Sequence, residues 1–141
     1  KAKCLLMVLS QITQLLISLP FAILRVHILP DGNPVGIEAN VAFYGFGLII
    51  YSVFNLILLT QFFKTGYKVG KAFIVASIPI LFLIIAMEVI VHFPNYKWLD
   101  STSPDMMLRQ VPVLILGIII YILGVLAAYK ISANRFQKVD L

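Results

Sequence analysis

Four long runs without a single Lys, Arg, Asp or Glu dominate this chain, at 4–24, 39–63, 72–87 and 110–129. A helix rises about 1.5 Å per residue, so roughly 20 residues cross the ~30 Å hydrocarbon core of a bilayer. Three of the runs are long enough alone. The third reaches full length by including Glu88 near its far end. A chain of 141 residues cannot bury four such elements on every side in water. The runs therefore predict an all-α membrane protein with four transmembrane helices, at about 4–24, 40–63, 72–92 and 110–129.

Composition narrows the function classes. Charged residues make up 12% of the chain, against about 25% in ordinary soluble domains. A net charge of +5 would suit nucleic acid if it formed one patch, but the basic residues flank the apolar runs, where they set membrane orientation. A nucleic-acid partner is not expected, and membrane lipid is. Cys4 is the only cysteine, which excludes an internal disulfide, and no Cys/His metal spacing is present. Lys1 and Lys3 precede the first run as in a signal peptide. The run is longer than a signal core, however, and no small-x-small site follows before Arg25, so it reads as a retained span.

Charge also sets the topology. Counting alternate sides of the four spans, one side holds Lys1, Lys3, Lys64, Lys68, Lys71, Lys130, Arg135 and Lys138. The other holds Arg25, Lys97 and Arg109, together with Asp31, Glu38, Asp100 and Asp105. The excess of Lys and Arg predicts that both termini, the 64–71 loop and the 130–141 tail are cytoplasmic. The connections 25–39 and 93–109 are then outside. The first is punctuated by Pro30, Gly32, Pro34 and Gly36. In the second, Ser103 followed by Pro104 predicts a cap and first position for a short interfacial helix over 104–110, and Tyr96 and Trp98 suit the headgroup level. The whole chain reads as one transmembrane domain.

Polar side chains inside a bilayer locate packed or functional faces. Ser10, Gln14 and Ser18 recur every four residues in the first span, with Gln11 beside them and Pro20 expected to bend the helix. Asn55 lies near mid-membrane in the second span and needs a partner there. Both features fit helix–helix hydrogen bonding first, with a polar strip along a transport path as the alternative. Gly117, Tyr121, Gly124 and Ala128 form a small-residue ridge for a helix contact, within the chain or between two copies. Glu88 is the one carboxylate in a span. About 16 residues beyond Ala72, or roughly 24 Å along the helix, it belongs at the outer interface, where snorkelling or pairing with Arg109 would suffice; an alternative role is proton coupling. His92 is one turn further on, and His27 could share that rim, but no third metal ligand accompanies them.

No catalytic constellation, cofactor fingerprint or phosphate-binding loop is present in the sequence. Two stretches do carry a likeness. "FFKTGYKVGKAF" at 62–73 is a hairpin between spans, and "AAYKISANRFQKVDL" at 127–141 runs from the last span into a basic tail. Both resemble the permease subunits of type-2 ABC exporters of the small Gram-positive bacterial kind. The resemblance implies a six-span permease of which this chain supplies the last four, working in the plasma membrane. It implies a separate ATP-binding subunit that holds ATP and magnesium, and a second permease copy or a related permease. The implied cargo is amphipathic or hydrophobic: a peptide, a drug or a lipid-like molecule. No enzyme activity of this chain itself is expected. Two other readings stay open. One is a proton-coupled small multidrug antiporter using Glu88, and the other is a non-transporting membrane immunity or assembly protein.

Overall fold

The computed structural model describes residues 2–28, 38–65 and 68–136. They form four long helices: α1 (Ala2–Ile28), α2 (Val41–Lys64), α3 (Val69–His92) and α4 (Pro104–Phe136). A short 3-10 helix over Pro94–Asp100 links α3 to α4. Among the described residues there is no strand. All four long helices are apolar enough to cross a membrane. The large apolar side chains point outward: Leu16, Ile23, Phe82 and Leu123 are each more than half exposed. The interior is instead small or polar, with Ala42, Ala72, Ala76, Ala128 and Gln110 at zero exposure. Helices in lipid gain nothing by hiding leucine from tails that are equally apolar, so close backbone approach and hydrogen bonds decide which faces meet.

The other three helices pack on α2. It runs parallel to α4, with Gly45 against Val113 and Gly117, Ser52 against Ile120 and Gly124, and Thr60 beside Arg135. It runs antiparallel to α1, pairing Asn55 with Gln11 and Tyr44 with Ser18. It is also antiparallel to α3, with the Phe54 and Phe73 rings edge to face (centroids 5.8 Å) and Ala42 beside Val91 near the start of α2. These directions gather Lys64, Lys68, Lys71, Lys130 and Arg135 at one end of the bundle. Arg135 donates to the Thr60 carbonyl there, close to the negative end of α2. With Cys4 replaced by serine, a cysteine at Asp105 should react with an impermeant maleimide on intact cells, whereas one at Lys68 should not. Both positions are exposed. Labelling at 68 from outside would invert the orientation.

The sequence boundaries need three corrections. The expected interfacial helix over 104–110 is not separate but continuous with the last span. Ser103 accepts the first helical bond from Met107 N–H at 2.9 Å, and α4 then continues for 33 residues to Phe136. At about 50 Å it overshoots the hydrocarbon core, so the start of the expected tail is helical. Second, the outer connection 93–109 is largely structured, by the 3-10 helix and the first turns of α4. Third, α1 extends to Ile28 and α3 starts at Val69, beyond the limits charge alone suggested. The helices continue through Pro20, Pro79 and Pro112. Lys1, residues 29–37, Gly66, Tyr67 and 137–141 lie outside the described residues, and with them one lysine of the charge count and parts of the outer loop, the hairpin motif and the tail motif.

A buried polar clasp fixes the opposite end of the bundle, which the charge distribution predicts to be the outer one. Asn40 caps α2 by accepting from Phe43 N–H at 3.0 Å, while its amide donates to the carbonyls of Leu99 (2.8 Å) and Ser101 (3.2 Å). Gln110 accepts from Ala42 N–H at 3.1 Å and donates to the carbonyls of Trp98 (2.7 Å) and Ser101 (2.9 Å). Two side chains thus satisfy two orphan donors at the start of α2 and three carbonyls of the connection between α3 and α4. Ala42, Val91 and Leu99 form the apolar cluster beneath, flanked by Phe46, Trp98 and Val113.

Candidate functional site: a polar seam along α1

Three rungs join α1 to α2. At the deepest, Gln11 and Asn55 exchange hydrogen bonds in both directions, at 2.8 and 2.9 Å, and Tyr121 of α4 donates its hydroxyl to Gln11 Oε1 at 2.8 Å. Asn55 is 9 residues from the end of α2 at Lys64, or roughly 14 Å, which is mid-bilayer. No water reaches that depth, so each amide must be paired by protein. Further out, Tyr51 donates to Gln14 Oε1 at 3.1 Å, and Ser18 and Tyr44 share a hydrogen bond at 3.1 Å. Ser18 also donates to the Leu15 carbonyl in its own helix.

The face that meets α2 is therefore Gln11, Gln14 and Ser18, spaced three and four apart. Ser10, which the four-residue stripe had included, is exposed. Gln11 is 7% exposed and is the hub of the seam. Its signal in the sequence was the seven-residue spacing to Ser18, which keeps one face toward a partner helix. Tyr44 and Tyr51 carry no signal of their own in the sequence, and Ser52 is one of several small or polar residues of the second span. Their roles come from what lies opposite.

The ridge on α4 faces α2 within the chain. At Gly117 the backbones of α2 and α4 are in contact at Gly45, and an added Cβ would run into the Gly45 carbonyl. Gly124 receives Ser52, whose hydroxyl donates to the Ile120 carbonyl at 2.8 Å. Tyr121 is buried between the two glycines, and Ala128 is buried one turn beyond Gly124. The α2–α4 contact is close and continuous, whereas α1 is held chiefly by its long polar side chains.

On either side of the outer half of α1 lies a cavity. One, of about 720 Å³, is bounded by α1, the start of α2 and α4, with Leu19, Tyr44, Met107 and Leu114 in its walls. The other, of about 520 Å³, lies between α1, α2 and α3 and includes Gln14, Ser18, Tyr51 and Glu88. Leu15 and Tyr44 border both. Glu88 sits one turn from the outer end of α3, with His92 Nδ1 at 4.0 Å from its carboxylate and at 2.7 Å from its carbonyl oxygen. Its described ion-pair partner is thus His92 and not Arg109. Among the described residues no group of three or more His, Cys, Asp or Glu is placed to hold a metal ion.

Comparison with family models, curated proteins and solved structures gives no match. The fold and the seam define the class: a multi-pass, all-α membrane protein whose four helices are joined by small-residue contacts and intramembrane hydrogen bonds.

Proposed function

We propose that this chain is a permease subunit of an ATP-driven exporter in a bacterial plasma membrane, moving an amphipathic or hydrophobic cargo outward. The reading begins with the likeness of the 62–73 hairpin and the 127–141 tail to type-2 ABC permeases. The observation that carries it further is the contrast between the two sides of α2. Toward α4 the backbones touch. Toward α1 there are separate hydrogen-bonded rungs with a cavity on each flank. An amphipathic cargo needs apolar walls and polar partners that can exchange, and the seam offers both. A helix held by a few rungs can also shift as a unit, as alternating access requires. ATP hydrolysis belongs to a separate subunit with its own nucleotide and magnesium, and a second permease copy completes the path. Most of the basic residues at the inner end serve orientation against anionic lipid, at roughly 1 kcal/mol each.

Purified alone, the chain should hydrolyse no ATP. Reconstituted with its ATP-binding subunit in proteoliposomes, the complete permease should show cargo-stimulated hydrolysis and outward movement without a proton gradient. Transport that needs no ATP-binding subunit and collapses with a protonophore would replace this reading with the antiporter, and Glu88 would become its proton carrier.

A further inference from the structure

The cavity between α1, α2 and α3 is more than a gap in the packing. Glu88 lines it at the end nearer His92, and the same residue also borders a shallow cleft with His92 and Phe93. The cavity walls carry four aromatic rings, Phe43, Tyr44, Phe46 and Tyr51. Its back is the seam itself, where Gln14 meets Tyr51 and Ser18 meets Tyr44. Along α2 the lining runs from Phe43 to Tyr51, which is about 12 Å of helix and close to the depth of one leaflet.

Among the described residues the ionic neighbour of Glu88 is His92, and no Lys or Arg nitrogen lies within ion-pair distance of that carboxylate. His92 is at 4.0 Å, beyond hydrogen-bond reach, and its side chain is 58% exposed on the outer rim. A carboxylate at the edge of the hydrocarbon is stabilised by a cation, and aromatic faces attract the same cation through their quadrupoles. Below the carboxylate the walls become apolar, with Ile50, Ile84 and Met87.

We propose that this cavity is a binding site for a monovalent lipophilic cation, an ammonium- or phosphonium-type head on an apolar or aromatic body. The head lies beside Glu88 among the rings, and the body extends along Gly47 and Ile50 toward mid-bilayer. Gly47 leaves room for it, since a Cβ there would meet nothing within 4 Å. The site does not depend on the transport proposal: binding needs neither ATP nor a second subunit, so either reading can fail without the other.

Equilibrium binding to the full chain in lipid nanodiscs tests it, using tetraphenylphosphonium and its anionic isostere tetraphenylborate, each corrected for uptake by empty nanodiscs. The cation should bind saturably at about one per chain and the anion should not. Glu88→Gln should weaken cation binding by about tenfold or more, the loss expected when one partner of a charge-assisted contact is removed. Ile84→Trp fills the cavity from α3 while leaving the carboxylate in place. Ile84 is 46% exposed, so the fold should survive, and binding should again be lost. Equal uptake of both ions, or full cation binding by either variant, would overturn the proposal.

Discussion

Gly117→Ala should lower the stability of the helical bundle by about 3 kcal/mol, although it adds a single methyl group. Overpacking costs roughly 1–3 kcal/mol where side chains can yield, and sometimes more. Here the added Cβ would meet the carbonyl oxygen, carbonyl carbon and Cα of Gly45, which are backbone atoms of another helix. They can move only if α2 and α4 separate along their length. Gly45→Ala should behave alike, because its Cβ would lie 2.7 Å from the Val113 carbonyl oxygen. Gly124→Ala should cost less, since Ser52 can rotate away at the expense of its bond to Ile120. Gly124→Leu, with more to accommodate, should disrupt folding, and Ile119→Leu should not, because Ile119 is exposed. The control is Gly47→Ala. It meets nothing within 4 Å, and alanine's better helix propensity could add up to about 1 kcal/mol. Reversible unfolding in mixed detergent micelles, followed by circular dichroism, gives the ranking. Equal stability of Gly117→Ala and Gly47→Ala would mean that the two backbones do not touch.

What the sequence disclosed follows from the physics of each feature. Charge-free runs and the distribution of lysines depend on composition alone, so the spans and their alternation were legible. Helix ends were less so. At the start of α4, Pro104 and Arg109, the last charge before the uncharged run, are five residues apart, and the helix crosses that interval without a break. The Gly117–Ala128 ridge was visible because small residues repeat along one face. Its partner was not, since Gly45 and Ser52 are scattered among larger side chains of α2. The clasp was invisible for a related reason. Gln110 looks like the first residue of an apolar run, and its full burial comes from carbonyls at 98 and 101 that the 3-10 helix turns inward. Asn55 announced its need for a partner. That the partner is Gln11 could be learned only from the antiparallel register of α1 on α2.

That register makes a second, sharper expectation. Gln11 Oε1 accepts from both Asn55 and Tyr121, while its amide nitrogen donates to Asn55. Gln11→Leu removes three hydrogen bonds at once. It strands the Asn55 amide at 2% exposure and the Tyr121 hydroxyl at 9%. Unpaired buried polar groups cost about 1–3 kcal/mol each in water-soluble proteins, and single bonds in membranes about 0.6–2. A loss of about 2–4 kcal/mol is expected for Gln11→Leu, and less for Asn55→Leu, which leaves Gln11 its bond from Tyr121. Tyr121→Phe removes one bond and should cost least, near 1 kcal/mol. The double variant Gln11→Leu/Asn55→Leu replaces a paired amide couple with two apolar groups, as lipid-depth packing tolerates. It should therefore be more stable than the sum of its parts predicts, by about 1–2 kcal/mol, inside the roughly 0.5–3 kcal/mol found for residues in direct contact. Independent sites add to within about 0.3–0.5 kcal/mol, so additivity at that level would mean that α1 does not sit on α2 in this register. The same cycle reaches the transport proposal. If α1 moves as a unit, the double variant should stay folded yet lose the deepest of its three attachments. Cargo-stimulated hydrolysis should then change while the α2–α4 contact, read by the glycine series, does not.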